Sequence, residues 1–397
     1  VSFLICSSRD NLHEEKIRKA FKMNAKEISE IKKTLSPDRS TIASVCGCYV
    51  NASGEIIAKF SRPLGLMGED EAEKYLFIFK KTISGSLSKN LFNMDFSTSQ
   101  VSGGEEYRLL SRLRTSELGD EEALDAFYAL VAKSVTMKDN YLILLASAKY
   151  DVPFKHIDGN TLADDSSEIF SHIFCSVCPV KASKASLTYD PEEKLFRNNA
   201  GASAVSAPEM GFMFPAFDCR RTNIYGALFY TRTTKDTHSD FTGAVFGNDI
   251  PMPADVQEES FRTLISETLA DACDLTAVKE MRRQIEEKIE EHKASGEEEP
   301  LTLDCGAIKE ILANCGASEE GLAAFSESFR ENFGEMTELD PKNLINMKKF
   351  ELRTPDVVIK VAPDKPELVQ TKVIGGAKFI MIRADEGVEL NGLNMSI

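Results

Sequence analysis

Apolar residues at 28, 31 and 35 fall at helical spacing in "MNAKEISEIKKTL", and Asn24 stands where an N-cap belongs, so a helix is predicted over 25–35, ending before Ser36-Pro37. Two strand-like runs follow, "SVCGCYV" and "EIIAKF", joined by Asn51-Ala52-Ser53-Gly54, which is hairpin chemistry. "GEDEAEKYLFIFKKTISG" reads as an amphipathic helix with an acidic first turn, Lys80 and Lys81 near its end, and Gly85 as the stop. A short strand, "NLFNMDF", precedes the helices "GEEYRLLSRLRTS" and "DEEALDAFYALVAKSV", and "NYLILLASAKYDV" then reads as a buried strand. From Tyr141 to Phe246 the texture is β-rich and aromatic, with loops expected over "IDGNTLADDSS" and "PEEKLFRNNAGAS".

"NDIPMPADVQEE" punctuates the middle of the chain. Beyond it Phe261, Leu264, Ile265, Leu269, Ala272, Leu275, Val278, Met281, Ile285 and Ile289 form a long apolar stripe, with Asp274 placed to cap a second helix. That stripe is expected to pack against the protein itself or a second copy. Two further helices meet at Cys315-Gly316, with Ser318 as the cap of the second. The last fifty or so residues turn to strands, with a hairpin on Gly375-Gly376. Helices followed by several strands predict an α+β fold and not a repeating βαβ array. The expected organisation is an α+β domain over 23–250 with an antiparallel or mixed sheet, a helical segment over 255–335, and a small β module over 341–397. Residues 1–22 are expected to be a translated leader or tail, because the first methionine is Met23 and the helix signals begin there.

Composition narrows the function. The hydrophobic fraction of 42% and charged fraction of 28% suit a globular chain with a sizeable core. A formal charge of -16 with no dense Lys/Arg run argues against nucleic acid as a partner. The longest apolar run, "YLILLASA", is far short of the ~20 residues that span a bilayer, so no membrane association is expected. Nine scattered cysteines without an export signal point to reduced thiols and a cytoplasmic protein.

Several segments together resemble one family: "MNAKEISEIKKTL", "GCYVNASGEII", "GLMGEDEAEKYLFIFKKTISG", "SAPEMGFMFPAFDCRRTNIYGALFYTR", "RTPDVVIKV" and "ADEGVELNG". The resemblance is to an uncharacterised bacterial family, chiefly of Gram-positive anaerobes, described only as a domain of unknown function. It implies a bacterial cytosolic protein starting at Met23, and it brings no activity, cofactor or catalytic residue.

Candidate chemistry is sparse. Cys175 and Cys178 form a C-x-x-C, but their surroundings read as a strand, which sends side chains three apart to opposite faces, so an ordinary strand is preferred to a redox dithiol or a metal site. His172 reads as a core group. No Walker loop, G-x-G-x-x-G, G-x-S-x-G or H-E-x-x-H occurs, and neither metal nor cofactor is expected. The helix pair around Gly316 is too acidic for a recognition helix. Asp158, Asp164, Asp165 and Glu168 lack the EF-hand spacing and read as a solvated loop. The most unusual polar cluster is Asp218, Arg220, Arg221, Thr222 and Asn223 between two aromatic segments. Two guanidiniums, a carboxylate and an amide there suit an anionic small molecule, against the plainer reading of a turn with a structural Arg–Asp pair. Two functions follow: a non-catalytic binding or regulatory protein that meets a protein partner or a second copy through the helical segment, or a small-molecule enzyme or anionic-ligand-binding protein centred on Asp218 to Asn223.

Overall fold

The computed structural model describes residues 22–395 apart from 156–160, 183–185, 191–193, 200–202, 235, 296–300, 335–337, 346, 348, 386 and 391. The expected leader thus lies almost wholly outside the described residues, as do Asp158 and the side chains of Asp164 and Asp165. The chain divides into two compact units after Pro253.

The first unit is built on one antiparallel sheet. Its elements in order are α1 (Ala25–Thr34), β1 (Ser44–Val50), β2 (Ile56–Pro63), α2 (Glu69–Thr82), β3 (Leu91–Asp95), α3 (Thr98–Gly103), α4 (Glu105–Thr115) and α5 (Glu121–Ser134). Then come β4 (Asn140–Lys155), β5 (Thr161–Ala182), β6 (Ser186–Asp190), β7 (Leu195–Asn199), β8 (Ser203–Val205), β9 (Met210–Phe214), β10 (Ala216–Asp218), β11 (Arg221–Asn223), β12 (Gly226–Thr231) and α6 (Ser239–Phe246). The sheet order is β2-β1-β4-β5-β9-β12-β3, with β8 also paired to β5, while β6–β7 and β10–β11 are separate hairpins.

Alternation along each strand makes two cores, one per face. Ile143, Cys175, Phe212 and Phe229 pack with Leu110, Phe127, Val131 and Phe246 of α4, α5 and α6. Leu144, Phe174, Met213 and Leu228 pack with Ile28 and Ile31 of α1 and with Leu76 and Phe79 of α2. Because helices cover both faces, the central strands are apolar at nearly every position, which is why "YLILLASA" shows no alternation. Local chemistry sets the helix starts. Asn24 accepts from the amides of Lys26 and Glu27 while Glu27 reaches back to the Asn24 amide, a complete capping box for α1.

Two sequence expectations need correcting here. The stretches read as loops contain strand: β5 begins at Thr161, inside "IDGNTLADDSS", and β7 lies inside "PEEKLFRNNAGAS". β4 and β5 pair along a long hairpin whose register shifts on either side of Pro153, so backbone pairing there overrides a polar composition that reads as loop. The stretch read as uniformly β-rich up to Phe246 also ends in a helix, α6, buried through Phe241, Val245 and Phe246.

The second unit holds α7 (Ala254–Leu269), α8 (Leu275–Ser295), α9 (Cys305–Asn314), α10 (Glu319–Phe333) and α11 (Pro341–Leu344). Three hairpins follow: β13 (Phe350–Arg353) with β14 (Val358–Val361), β15 (Val369–Ile374) with β16 (Ala377–Ile382), and β17 (Val388–Leu390) with β18 (Leu393–Met395). Most of the apolar stripe is buried against its own unit, with Phe261, Leu264, Met281 and Ile285 meeting Ile308, Leu312, Phe325 and Phe329, whereas Val278 is exposed and Ala272 and Leu275 are half-buried where α7 gives way to α8. Asp274 caps α8 through the Ala277 amide at 2.8 Å, and Ser318 caps α10 through the Gly321 amide at 3.0 Å. The buried Arg282 of α8 donates to the carbonyls of Met347 and Lys349 at 2.7 and 2.8 Å, tying the start of β13 to the helices. The β15–β16 turn sits on Gly375 and Gly376, both at positive φ, as its two-residue loop requires. Val373, Ile374, Phe379 and Ile382 of that hairpin are exposed.

Candidate functional site: a cation-lined cleft at Arg220

The polar cluster singled out in the sequence folds as a hairpin against the N-terminus of α1. β10 and β11 pair Asp218 with Arg221, leaving Cys219 and Arg220 as a two-residue turn at φ 46° and 56°. Non-glycine residues seldom occupy this left-handed region, at a cost of roughly 1 kcal/mol or more each. Glu27 holds the turn in place, since its carboxylate accepts from the Asn24 amide at 2.8 Å and the Arg220 amide at 3.4 Å. The capping carboxylate of α1 therefore also pins the hairpin.

The four predicted site residues separate into different roles. Asp218 is buried and takes a hydrogen bond from the Asn223 side-chain amide, not from an arginine. Burial pushes the Asp218 carboxyl up, the Asn223 amide opposes this, and nearby Asp95 adds to the rise. Glu27 is raised as well, by burial first, with the backbone amides of Asn24, Arg220 and Cys219 opposing and Asp218 reinforcing. Asp218, buried, and Asn223, half-buried, thus pair with each other. Thr222 binds Glu168 through both its amide and its hydroxyl, at 3.0 and 2.5 Å. Arg221 is exposed, with no ion pair among the described residues.

Arg220 lines a cleft. Its guanidinium donates to the Pro153 carbonyl at 2.8 Å and lies 3.2 Å from Glu30 Oε1, which also accepts from the Tyr150 hydroxyl at 2.7 Å. These groups form one wall of a cleft of about 780 Å3 between α1 and β4, lined also by Lys26, Lys33, Thr34, Arg39 and Thr41. Lys149 and Asp151 line it as well. Strand alternation puts Tyr150 on the α1 face, and Lys149 turns away to pair with Glu117 at 2.6 Å. Of the cations left, Arg220 is held by Glu30, whereas Lys26, Lys33 and Arg39 have no ion-pair partner among the described residues. Lys26, Glu30 and Lys33 share the α1 face opposite Ile28 and Ile31, so sequence reading takes them for a solvated helix surface. Only the position of Arg220 on a distant hairpin turns that face into a cleft wall.

The other candidates are structural. Cys175 and Cys178 lie in β5 opposite Leu145 and Leu142, which belong to different cores, so the two thiols face opposite sides of the sheet. Burial pushes the Cys178 thiol up to about 12, away from thiolate chemistry. The helices flanking Gly316 pack into the core of the second unit through Ile308, Leu312, Phe325 and Phe329. His172 stacks on Phe170 with centroids 4.3 Å apart, sets its edge against Phe174, and places Nδ1 3.2 Å from the Phe170 carbonyl. Its Nε2 has no partner among the described residues.

Burial holds the His172 imidazole down at about 4 from an ordinary 6.5, with the Phe170 carbonyl opposing. Below pH 6.5 the unfolded chain takes up a proton that the folded chain refuses, so stability falls as pH drops through that window to about 4. The shift corresponds to roughly 3 kcal/mol. A His172→Leu variant is expected to lose that share of the acid sensitivity when urea midpoints are compared at pH 7 and pH 4. Equal pH dependence in both proteins would show that His172 does not control it.

The fold and site together define an α+β protein whose candidate site is a cation-lined cleft. The chain belongs to the family described as "Domain of unknown function (DUF4317)", which it matches over residues 23–393. No curated protein and no solved structure matches it. Among the described residues no helix is long and apolar enough to cross a membrane.

Proposed function

We propose that this is a binding protein for an anionic small molecule, held in the cleft between α1 and β4. One observation carries the reading: three cations, Lys26, Lys33 and Arg39, line the same cleft without an ion-pair partner among the described residues, in a chain of net charge -16. Carboxylates are abundant in such a chain, and a concave site focuses the field of its cations on one volume. The site keeps Arg220 from the sequence reading as the residue that fixes Glu30. It replaces Asp218, Arg221 and Asn223 with Lys26, Lys33 and Arg39 as ligand contacts. Contact with a protein partner through the helical stripe is less favoured, since Phe261, Leu264, Met281 and Ile285 are already buried in their own unit. The reading takes the protein to be cytoplasmic, on the scattered thiols of the sequence.

A thermal-shift titration with inorganic pyrophosphate at constant ionic strength tests this. Ligand at a hundred times its Kd stabilises the folded chain by about 2.7 kcal/mol. Wild-type protein is expected to melt several degrees higher at saturation, and a Lys33→Met, Arg39→Met double variant is expected to melt unchanged. No shift in the wild type, or an equal shift in the variant, would remove the cleft from consideration.

A further inference from the structure

We infer that the ligand of this cleft carries two anionic groups roughly 10 Å apart on a body that bears hydroxyl or amine donors. The inference rests on the anion-binding reading and specifies its ligand class. Lys26 and Lys33 stand seven residues apart on one face of α1, hence roughly 10 Å apart along its axis, so with extended side chains they serve two anionic groups without bending toward one. Arg39 follows α1 in the chain, past its last residue Thr34, and adds a third cation to the same cleft.

Between the two lysines stands a carboxylate. Glu30 occupies the same helix face, and its Oε1 is taken up by the Tyr150 hydroxyl and the Arg220 guanidinium. Its Oε2 receives no hydrogen bond from a described residue. An anionic group has no proton to offer this oxygen and gains nothing from it, whereas a hydroxyl or ammonium is taken up as a donor. Arg220 donates to the Pro153 carbonyl and the Tyr150 hydroxyl donates to Glu30, so the central acceptor is held in place before any ligand arrives. The order along the cleft is therefore a cation, a carboxylate–guanidinium pair with one acceptor oxygen open, and a cation. Its complement is an anion–donor–anion molecule such as a sugar bisphosphate.

Isothermal titration of the full chain with four probes at matched ionic strength tests the inference: fructose 1,6-bisphosphate, fructose 6-phosphate, 1,6-hexanediol bisphosphate and inorganic pyrophosphate. The sugar bisphosphate is expected to bind about tenfold or more tightly than the other three. Glu30→Gln is expected to erase its advantage over the hexanediol bisphosphate. Lys26→Met, at an exposed position without a partner, is expected to bring the sugar bisphosphate down to the affinity of the monophosphate while leaving the latter unchanged. Circular dichroism confirms that each variant is folded. Should Glu30→Gln fail to fold, the wild-type ranking and Lys26→Met decide the matter alone. Pyrophosphate binding as tightly as the sugar bisphosphate would overturn the spacing while leaving an anion site. If none of the four binds, the anion-binding reading falls as well.

Discussion

Replacing Ile285 with lysine is expected to cost the second unit about 4 kcal/mol or more, enough to unfold a unit of ordinary stability. Ile285 is 1% exposed in the middle of α8, between Met281 and Ile289, in a core shared with Ile308, Leu312 and Phe329. The substitution removes a fully buried aliphatic group and sets an ammonium in its place. No carboxylate among the described residues of the second unit is buried, so the lysine must bury a charge, shed its proton or open the helices. Amide hydrogen exchange in α7 to α10 reads the outcome directly. Protection equal to the wild type would mean that the stripe is a surface and not a core.

The second large effect is expected at Gly211, in β9. A Cβ built there overlaps the carbonyl oxygen of Cys175 in β5 and meets Thr82 Cγ2 of α2 at 2.6 Å. Thr82 is fixed by its hydrogen bond to Ser176, 2.6 Å away and fully buried, so the helix cannot give way without losing that bond. One methyl group therefore has to prise apart two strands and a helix, at about 3 kcal/mol or more. Gly47 offers a comparison. A Cβ there overlaps the ring of Phe60, a partly buried side chain near the sheet edge that can swing aside. Urea unfolding should show Gly211→Ala far more damaging than Gly47→Ala. Similar losses at the two sites would mean that the close approach of α2 to the sheet is not rigid.

What could be read in the sequence was whatever local chemistry decides. Asn24, Asp274 and Ser318 announced helix starts because caps are set by one side chain and the amides two or three residues on. The Gly375-Gly376 hairpin was legible for the same reason. The stripe from Phe261 to Ile289 announced a buried helical face, which the structure shows packed in its own unit. Long-range pairing was not legible. The polar start of β5 is strand only because β4 lies beside it, and β13 went unread because "FELR" gains its structure from β14 and from the neighbouring backbone that Arg282 holds. The site failed in the same way. Adjacent Arg220 and Arg221 look equivalent in the chain, yet a left-handed turn sends one to Glu30 and the other to the surface. The partner residues Lys26, Glu30 and Lys33 come from a helix nearly two hundred residues earlier, and no spacing rule connects them to Arg220.

The order of strands in the sheet also dictates a timetable for synthesis. β3 pairs only with β12, and their partners Phe92 and Phe229 are separated by 137 residues of chain. β1 must likewise wait for β4, from Cys46 to Leu145. At about 5–20 residues per second, a ribosome needs roughly 7–27 s to deliver β12 after β3. Throughout that interval Phe92 and Met94, which end up in the sheet's own core, have no neighbour on either side. By contrast the β4–β5 hairpin closes as soon as it emerges. It presents a two-stranded ribbon, apolar on both faces, to whatever the cell holds. Exposed apolar strands of this kind favour aggregation, and slowing translation after β5 is expected to lower the soluble yield.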